Sequence, residues 1–456
     1  MLRSVWAIGS LLLSAGLLLF GHGMHLTVLP LIAEDLHWSA VSNALTTSAY
    51  FLGFAAGCLV VPRWLLAIGH IRVFGVLVAL ATAALLCLSL LPWLGAWLSL
   101  RFVYGVAISG IYLTVESWLN AETQRDYRGA VLSVYAFVTL LAMFGAQLLL
   151  QRLELDRLWM LVTAAVFLSL AALPIGLTRR QAPRMVASPH LRLSTLLNPA
   201  NLPAFVSGVL AGTFWALAPV FTTRLGLDGA DTARFMAAAV GGGMLVVYPL
   251  GWLSDRIGRA AVLSLLGFLG LVGTLAYLLF VTAGEVQVAL FGLGFGAVMM
   301  PLYALCVAFA NDRAGDDDFV ETGSVVIMAN ALGMVSGPIA AGWLLTGRST
   351  DALLWFWAGA FAVLGAVAAA IRAAMPRHEA ADTAAFELVP RTAPEVLVID
   401  PRAPEEGLVE AGLDDAAAEA AGDPGRSESE STVAEPAGEA DDAPRPVSPG
   451  PATGTS

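Results

Sequence analysis

Twelve apolar runs divide the chain, at approximately 5–29, 41–61, 73–92, 97–119, 129–150, 157–177, 203–223, 233–253, 260–282, 286–310, 320–345 and 352–372. Most are about 20 residues or longer, enough for a helix rising ~1.5 Å per residue to cross the ~30 Å hydrocarbon core of a bilayer. The alternative is one large soluble core. Of 456 residues, however, 58% are hydrophobic and 13% charged, and no charged amphipathic helices stand ready to cover such a core. The chain therefore reads as an all-α membrane protein with twelve transmembrane helices. The first run ends in His22, His25 and Pro30 without a small-residue cleavage pattern, so it reads as a span and not a signal peptide.

Charge is distributed unevenly. Residues 1–377 hold 20 arginines and 17 acids, whereas 378–456 hold 4 arginines and 18 acids. All 24 basic residues are arginine. With the N terminus inside, fourteen arginines of residues 1–377 fall on the cytoplasmic side and six on the other, which predicts a plasma (inner) membrane protein with both termini cytoplasmic. The polar stretch 178–202 carries four arginines with Pro183, Pro189 and Pro199, and reads as a cytoplasmic linker between a half at 1–177 and a half at 203–377. Residues 378–456, rich in Ala, Glu, Asp, Pro, Gly and Ser, read as a disordered acidic cytoplasmic tail. Only Phe386–Val389 and Val396–Ile399 there are apolar enough to dock on a partner. Cys58, Cys87 and Cys306 lie in or at the ends of apolar runs and read as small core residues.

Between spans 8 and 9 stands Gly251-Trp252-Leu253-Ser254-Asp255-Arg256-Ile257-Gly258-Arg259. A short loop with two arginines and an aspartate is a cytoplasmic hinge by the positive-inside rule. A degraded copy appears earlier as Gly57-Cys58-Leu59, Pro62-Arg63 and Gly69-His70-Ile71-Arg72, an offset of 194 residues from Gly57 to Gly251. Gly105, Tyr112 and Asn120 recur with the same internal spacing as Gly296, Tyr303 and Asn311, 191 residues on, and Pro30 recurs as Pro219, 189 on. The chain reads as a duplicated half-unit, the construction of many secondary transporters.

Six plus six spans, a basic central linker and the G-x-L-x-D-R-x-G-R loop resemble the major facilitator superfamily over residues 5–372. Arg101 and Gly105 in the fourth span resemble that family's arginine-containing fourth-helix motif. The resemblance implies a fold of two pseudo-symmetric six-helix halves. It also implies an inner gate formed by Gly251, Asp255, Arg256, Gly258 and Arg259, together with Arg63, Arg72, Glu116 and Arg128. The first-half loop lacks the aspartate usual in the family. Glu116-Ser117-Trp118-Leu119-Asn120, Arg128-Gly129 and Tyr135 are similar to the YcaD-type branch, whose members are transporters of unknown substrate. Drug/proton antiporters of the superfamily carry a glycine–proline pattern in the fifth span. Here that span reads Met143-Phe144-Gly145-Ala146-Gln147, and a related run, Gly333 to Gly342 around Pro338, stands in the eleventh.

Arg101 is a charge about one turn inside the fourth span, so it should face protein or a water-filled cavity. Snorkelling to the interface is the alternative. His22 and His25, at i and i+3 on the first span, are the nearest titrating groups in sequence terms that the fixed charge of Arg101 could influence. Glu116 lies 15 residues further along the helix, about 22 Å away, too far to touch Arg101, and reads as a gate ion-pair residue. Tyr50, Tyr112, Gln147, Trp215, Tyr248, Tyr303 and Asn330 are polar or aromatic residues within apolar spans and form the candidate substrate-cavity set. The acidic run at 316–318 reads as the capped start of the eleventh span. Two histidines make a poor metal site, and there is no G-x-x-x-x-G-K, H-E-x-x-H or G-x-S-x-G. No metal, no cofactor, no nucleic-acid partner and no enzyme activity are expected. The reading is a monomeric secondary transporter in the lipid bilayer, moving a small solute by alternating access with protons as coupling ion. The alternative is a transporter-like sensor or scaffold signalling through the acidic tail.

Overall fold

The computed structural model describes residues 2–123, 127–153, 156–177, 199–280, 284–312 and 319–374. The linker at 178–198, the acidic run at 316–318, the tail and the side chain of Arg128 lie outside the described residues. The helices are α1 (Leu2–Asp35), α2 (Ala40–Ile68), α3 (His70–Leu90), α4 (Leu94–Glu122), α5 (Arg128–Leu150) and α6 (Arg157–Gly176), then α7 (Leu202–Arg224), α8 (Gly229–Ile257), α9 (Arg259–Phe280), α10 (Glu285–Asn311), α11 (Phe319–Leu345) and α12 (Asp351–Ala374). These twelve, among the described residues, are long and apolar enough to cross a membrane.

Proline sets the departures from the twelve simple rods read in the sequence. α10 is split into Glu285–Met299 and Leu302–Asn311 at Pro301, which cannot donate to the turn before it. α6 is split after Leu170, four residues before Pro174, where the proline ring would meet a helix carbonyl. In contrast α2 continues through Pro62 to Ile68, so the residues read as a long first-half loop are helical.

Pairwise packing repeats with a shift of six helices. α2 lies along α4 as α8 lies along α10; α1 packs on α5 and α6 as α7 packs on α11 and α12; α3 packs on α4 and α6 as α9 packs on α10 and α12. Lipid tails are as apolar as leucine, so helices here associate through close packing and internal hydrogen bonds. Glycine provides that closeness. A Cβ on Gly105 would lie 2.1 Å from the Tyr50 carbonyl oxygen, and one on Gly296 would lie 1.9 Å from that of Ala239. Reciprocally, Gly53 faces the Phe102 carbonyl and Gly242 that of Leu293.

These contacts fix the internal register and correct the one read from the loop motifs. Tyr50 pairs with Ala239 and Gly53 with Gly242 at an offset of 189, not the 194 taken from Gly57 to Gly251. The turns agree: Gly69 has φ +81° and Gly258 φ +89°, left-handed values that favour glycine, and each joins two helices with no other residue between. His70 therefore occupies the position of Arg259. In this register Gly251 corresponds to Pro62, while Gly57, packed inside α2 against Val106 and Ser109, corresponds to Val246.

The halves meet most closely at the end carrying Asp35. There the Asn43 amide donates to the Ala216 carbonyl at 3.1 Å, the Ser48 hydroxyl donates to the Val335 carbonyl at 2.7 Å, and Gly342 of α11 abuts Ala40 and Ala44 of α2. Gly296→Ala should lower the thermal stability of the purified protein by about 1–3 kcal/mol, the usual cost of overpacking. Gly294→Ala, with nothing within 4 Å of its added Cβ, should leave it unchanged. Thermal unfolding of both variants in one detergent checks this.

Candidate functional site

α1 turns His22 and His25 towards α4, and α4 presents Arg101 and Tyr104 to them, again at i and i+3. The close approach of α2 and α4 brings a third wall, Thr46, Thr47 and Tyr50. All seven side chains are buried. A guanidinium can only donate, so the 3.0 Å contact from Arg101 makes His25 Nε2 an acceptor. The His25 proton is therefore on Nδ1, from which it donates to the His22 carbonyl at 2.7 Å. The Tyr104 hydroxyl lies 3.3 Å from His25 Nδ1 and 3.1 Å from His22 Nδ1, and the Tyr50 hydroxyl lies 3.4 Å from His22 Nε2. Arg101, His25, Tyr104, His22 and Tyr50 thus form one connected chain.

Every group that touches Arg101 is neutral. Its Nε donates to the Thr46 carbonyl at 3.3 Å, one terminal nitrogen donates to the Thr47 hydroxyl at 3.2 Å, and the guanidinium carbon sits 5.1 Å from the Tyr50 ring centre. No carboxylate touches it among the described residues. Arg101 is 2% exposed, so it faces inward and does not snorkel.

Tyr50 and His22 are also part of the wall of a central cavity of about 170 Å³. Its lining follows the register of the duplication: Leu26 opposes Trp215, Phe51 opposes Val240, Tyr112 opposes Tyr303, Thr139 opposes Asn330 and Met143 opposes Met334. Of the residues proposed from sequence, Tyr50, Tyr112, Trp215, Tyr303 and Asn330 line it. Gln147 and Tyr248 do not. Gln147 is buried between α1 and α5, accepting from Thr27 at 2.9 Å and donating to the Gly23 carbonyl at 2.8 Å. It locks two helices together. Tyr248 is 75% exposed on the outer face of α8. Tyr104 was missed in the sequence, although its spacing from Arg101 places both on one face of α4. The methionines and phenylalanines of the cavity carried no separate signal, since they resemble ordinary core residues.

The duplicated positions in the second half hold different chemistry. His25 corresponds to Phe214, Tyr104 to Phe295, Arg101 to Gly292, His22 to Ala211 and Tyr50 to Ala239. Phe214 and Phe295 stack at 5.7 Å between centroids, and Phe235 covers Gly292. One half carries a titratable network where the other carries an aromatic core.

At the far end, Arg259 is 3% exposed and contacts Asp312, just past α10, and Asp255 at 3.5 Å. It ties three helix ends within the second half. Arg256, also of the expected inner gate, covers the Trp252 ring at 3.8 Å and is exposed. Arg63 and Arg72 are exposed and form no ion pair among the described residues. Glu116 is buried with the Tyr135 hydroxyl bonded to it. The expected partner Arg128 has its side chain outside the described residues.

Residues 11–317 match the family model of the Major Facilitator Superfamily. An uncharacterized MFS-type transporter of Yersinia pestis (strain Pestoides F) is 29% identical over 76% of this chain and 91% of its own. The uncharacterized MFS-type transporter YcaD of Salmonella typhi is 26% identical over 77% and 92%. A bacterial homologue of the human lysosomal transporter Spinster, solved inward-facing and occupied, aligns with a TM-score of 0.67 at 15% identity, over 83% of this chain and 99% of its own.

The two arginines of the motif, Arg256 in α8 and Arg259 in α9, should separate cleanly in a stability measurement. Asp312→Asn leaves Arg259 buried without that carboxylate and should cost about 3–5 kcal/mol. Arg256→Ala removes an exposed contact and should stay within about 0.5 kcal/mol. Equal effects in chemical or thermal unfolding would overturn this division of roles.

Proposed function

The chain belongs to the Major Facilitator Superfamily, and from that premise we propose that it is a secondary active transporter, moving a small solute across the plasma (inner) membrane by alternating access in exchange or symport with protons. The six-helix halves at 1–177 and 203–377 are the moving bodies in this reading, joined by the cytoplasmic linker at 178–202. The halves latch at the Asp35 end, which is the outer side if both termini are cytoplasmic. The cavity lies between them, where a solute would be exchanged.

The observation that carries proton coupling is the contact between Arg101 and His25 Nε2. That nitrogen can accept from Arg101 or hold a proton, and it cannot do both. Protonating it sets donor against donor and places two positive charges side by side. Unit charges roughly 5 Å apart repel by about 3 kcal/mol at an effective dielectric of about 20. That shifts a two-state ratio by more than a hundredfold. Arg101 would leave the Thr46 carbonyl and Thr47 hydroxyl of α2, the helix whose Asn43 and Ser48 hold the second half. Protonation would thus act on the helix that forms the latch.

Two experiments test the reading. In a background with Cys58, Cys87 and Cys306 replaced, Ala44→Cys with Gly342→Cys should crosslink across the latch and stop solute flux until reductant is added. Their Cβ positions lie 2.8 Å apart, so a shift of roughly 1 Å brings them to disulfide geometry. Flux through the crosslinked protein would sink alternating access. In proteoliposomes with a pH dye inside, Arg101→Ala should lose solute-driven proton movement while keeping downhill solute exchange. Arg101→Lys should restore it only in part, since a lysine cannot reach Thr46, Thr47 and His25 together. Full proton movement in Arg101→Ala would remove Arg101 from coupling.

A further inference from the structure

The cavity wall carries its titratable and cationic surroundings on one side only; the other polar groups of its lining, Tyr112, Thr139, Tyr303 and the Asn330 amide, are neutral. His22 and Tyr50 stand at one pole, while the second half contributes Trp215, Tyr303, Met300 and Met334. No charged side chain lines the cavity among the described residues. Directly behind Tyr50 lies the guanidinium of Arg101, whose contacts are a carbonyl, a hydroxyl, an imidazole and a ring. The carboxylate on the same helix, Glu116, is 15 residues away, about 22 Å along the axis. It does not line the cavity, and Tyr135 is bonded to it. The His22 and Tyr50 pole therefore faces a buried positive charge that no described acid neutralises. In a site of low dielectric such a charge acts at longer range than in water. It opposes a cation in the cavity, is nearly indifferent to a neutral solute, and favours an anion.

We propose that the cavity binds an organic monoanion with its carboxylate at the His22 and Tyr50 pole and its apolar body among Trp215, Tyr303 and Met334. The Tyr50 hydroxyl and the His22 ring supply hydrogen bonds to the head group, and Arg101 supplies the field. The aromatic and thioether side chains opposite accept a planar ring or a branched aliphatic chain, methionine adapting to either. A cavity of about 170 Å³ holds a fragment-sized molecule, below the range of drug-sized sites. This names a substrate class for the transport reading and rests on that reading only for the movement of the bound acid.

The test is binding, measured without flux. The full-length protein in nanodiscs is titrated calorimetrically, against empty nanodiscs, with matched sets: benzoate, benzamide and benzylammonium, and the acid, amide and amine of branched aliphatic chains. Each acid should bind about tenfold tighter than its amide, and the amine should be weakest. Arg101→Gln should bring acid and amide together while leaving amide affinity within twofold, a pattern that a merely structural loss would not give. If that variant does not fold, the charge preference of the parent protein decides. Amides binding as well as acids, amines binding best, or no acid of any set binding overturns the proposal. Acids that bind with the expected preference but are not moved into proteoliposomes would overturn the transport reading and leave the ligand class standing.

Discussion

Everything described here depends on two helix pairs whose backbones nearly touch. In a bilayer, apolar surface gains little by leaving lipid, so helices stay together by packing and by internal hydrogen bonds. Gly105 against Tyr50 and Gly296 against Ala239 bring α2 onto α4 and α8 onto α10. In the first half that closeness also sets a backbone carbonyl, Thr46, within reach of an arginine on the neighbouring helix. The same packing that holds the fold therefore cradles the charge.

Duplication gave both halves this frame but not the same contents. Where α1 and α4 carry His25, Tyr104 and Arg101, α7 and α10 carry Phe214, Phe295 and Gly292. The aromatic version at Phe214 and Phe295 needs no hydrogen-bond partners, and it is extended by Phe291, Trp357 and Phe361 in tilted and edge-on contacts. The polar version must satisfy each group internally, and it does so by linking five side chains in series. The two halves thus share one backbone frame but differ in that one carries an aromatic cluster where the other carries a titratable network.

The membrane class, twelve spans and duplicated plan were legible in the sequence because run length and repeat spacing report directly on bilayer thickness and helix packing. Arg101 beside the first-span histidines was legible too, since an intramembrane charge must turn inward. The internal register was not. Gly57 mimics the start of the motif but stands five residues before the position, Pro62, that the turn glycines match to Gly251. Gln147 and Tyr248 show a second limit. Periodicity says which residues are polar in an apolar run, not whether they face a cavity, a neighbouring helix or the lipid. Arg256 shows the same limit, since the sequence alone did not indicate that it would lie over the Trp252 ring one turn back.

The two buried arginines make the last point. Arg259 and Arg101 are nearly equally hidden, at 3% and 2% exposure. Arg259 is set against two carboxylates, which is what desolvation asks of a cation whose task is to hold helix ends together. Arg101 has only neutral partners, though an aspartate or glutamate in place of Thr47 would have given it a counter-charge. A balanced pair there would be inert: it would have no preference among solutes and no conflict with a protonated histidine. An unbalanced cation responds to both, because an anion in the cavity relieves it and a proton on His25 aggravates it. The cost of keeping that charge uncompensated falls partly on α2, the helix whose Asn43 and Ser48 hold the second half at the Asp35 end. In the proposed reading, the responses to solute and to proton therefore meet at one side chain, Arg101.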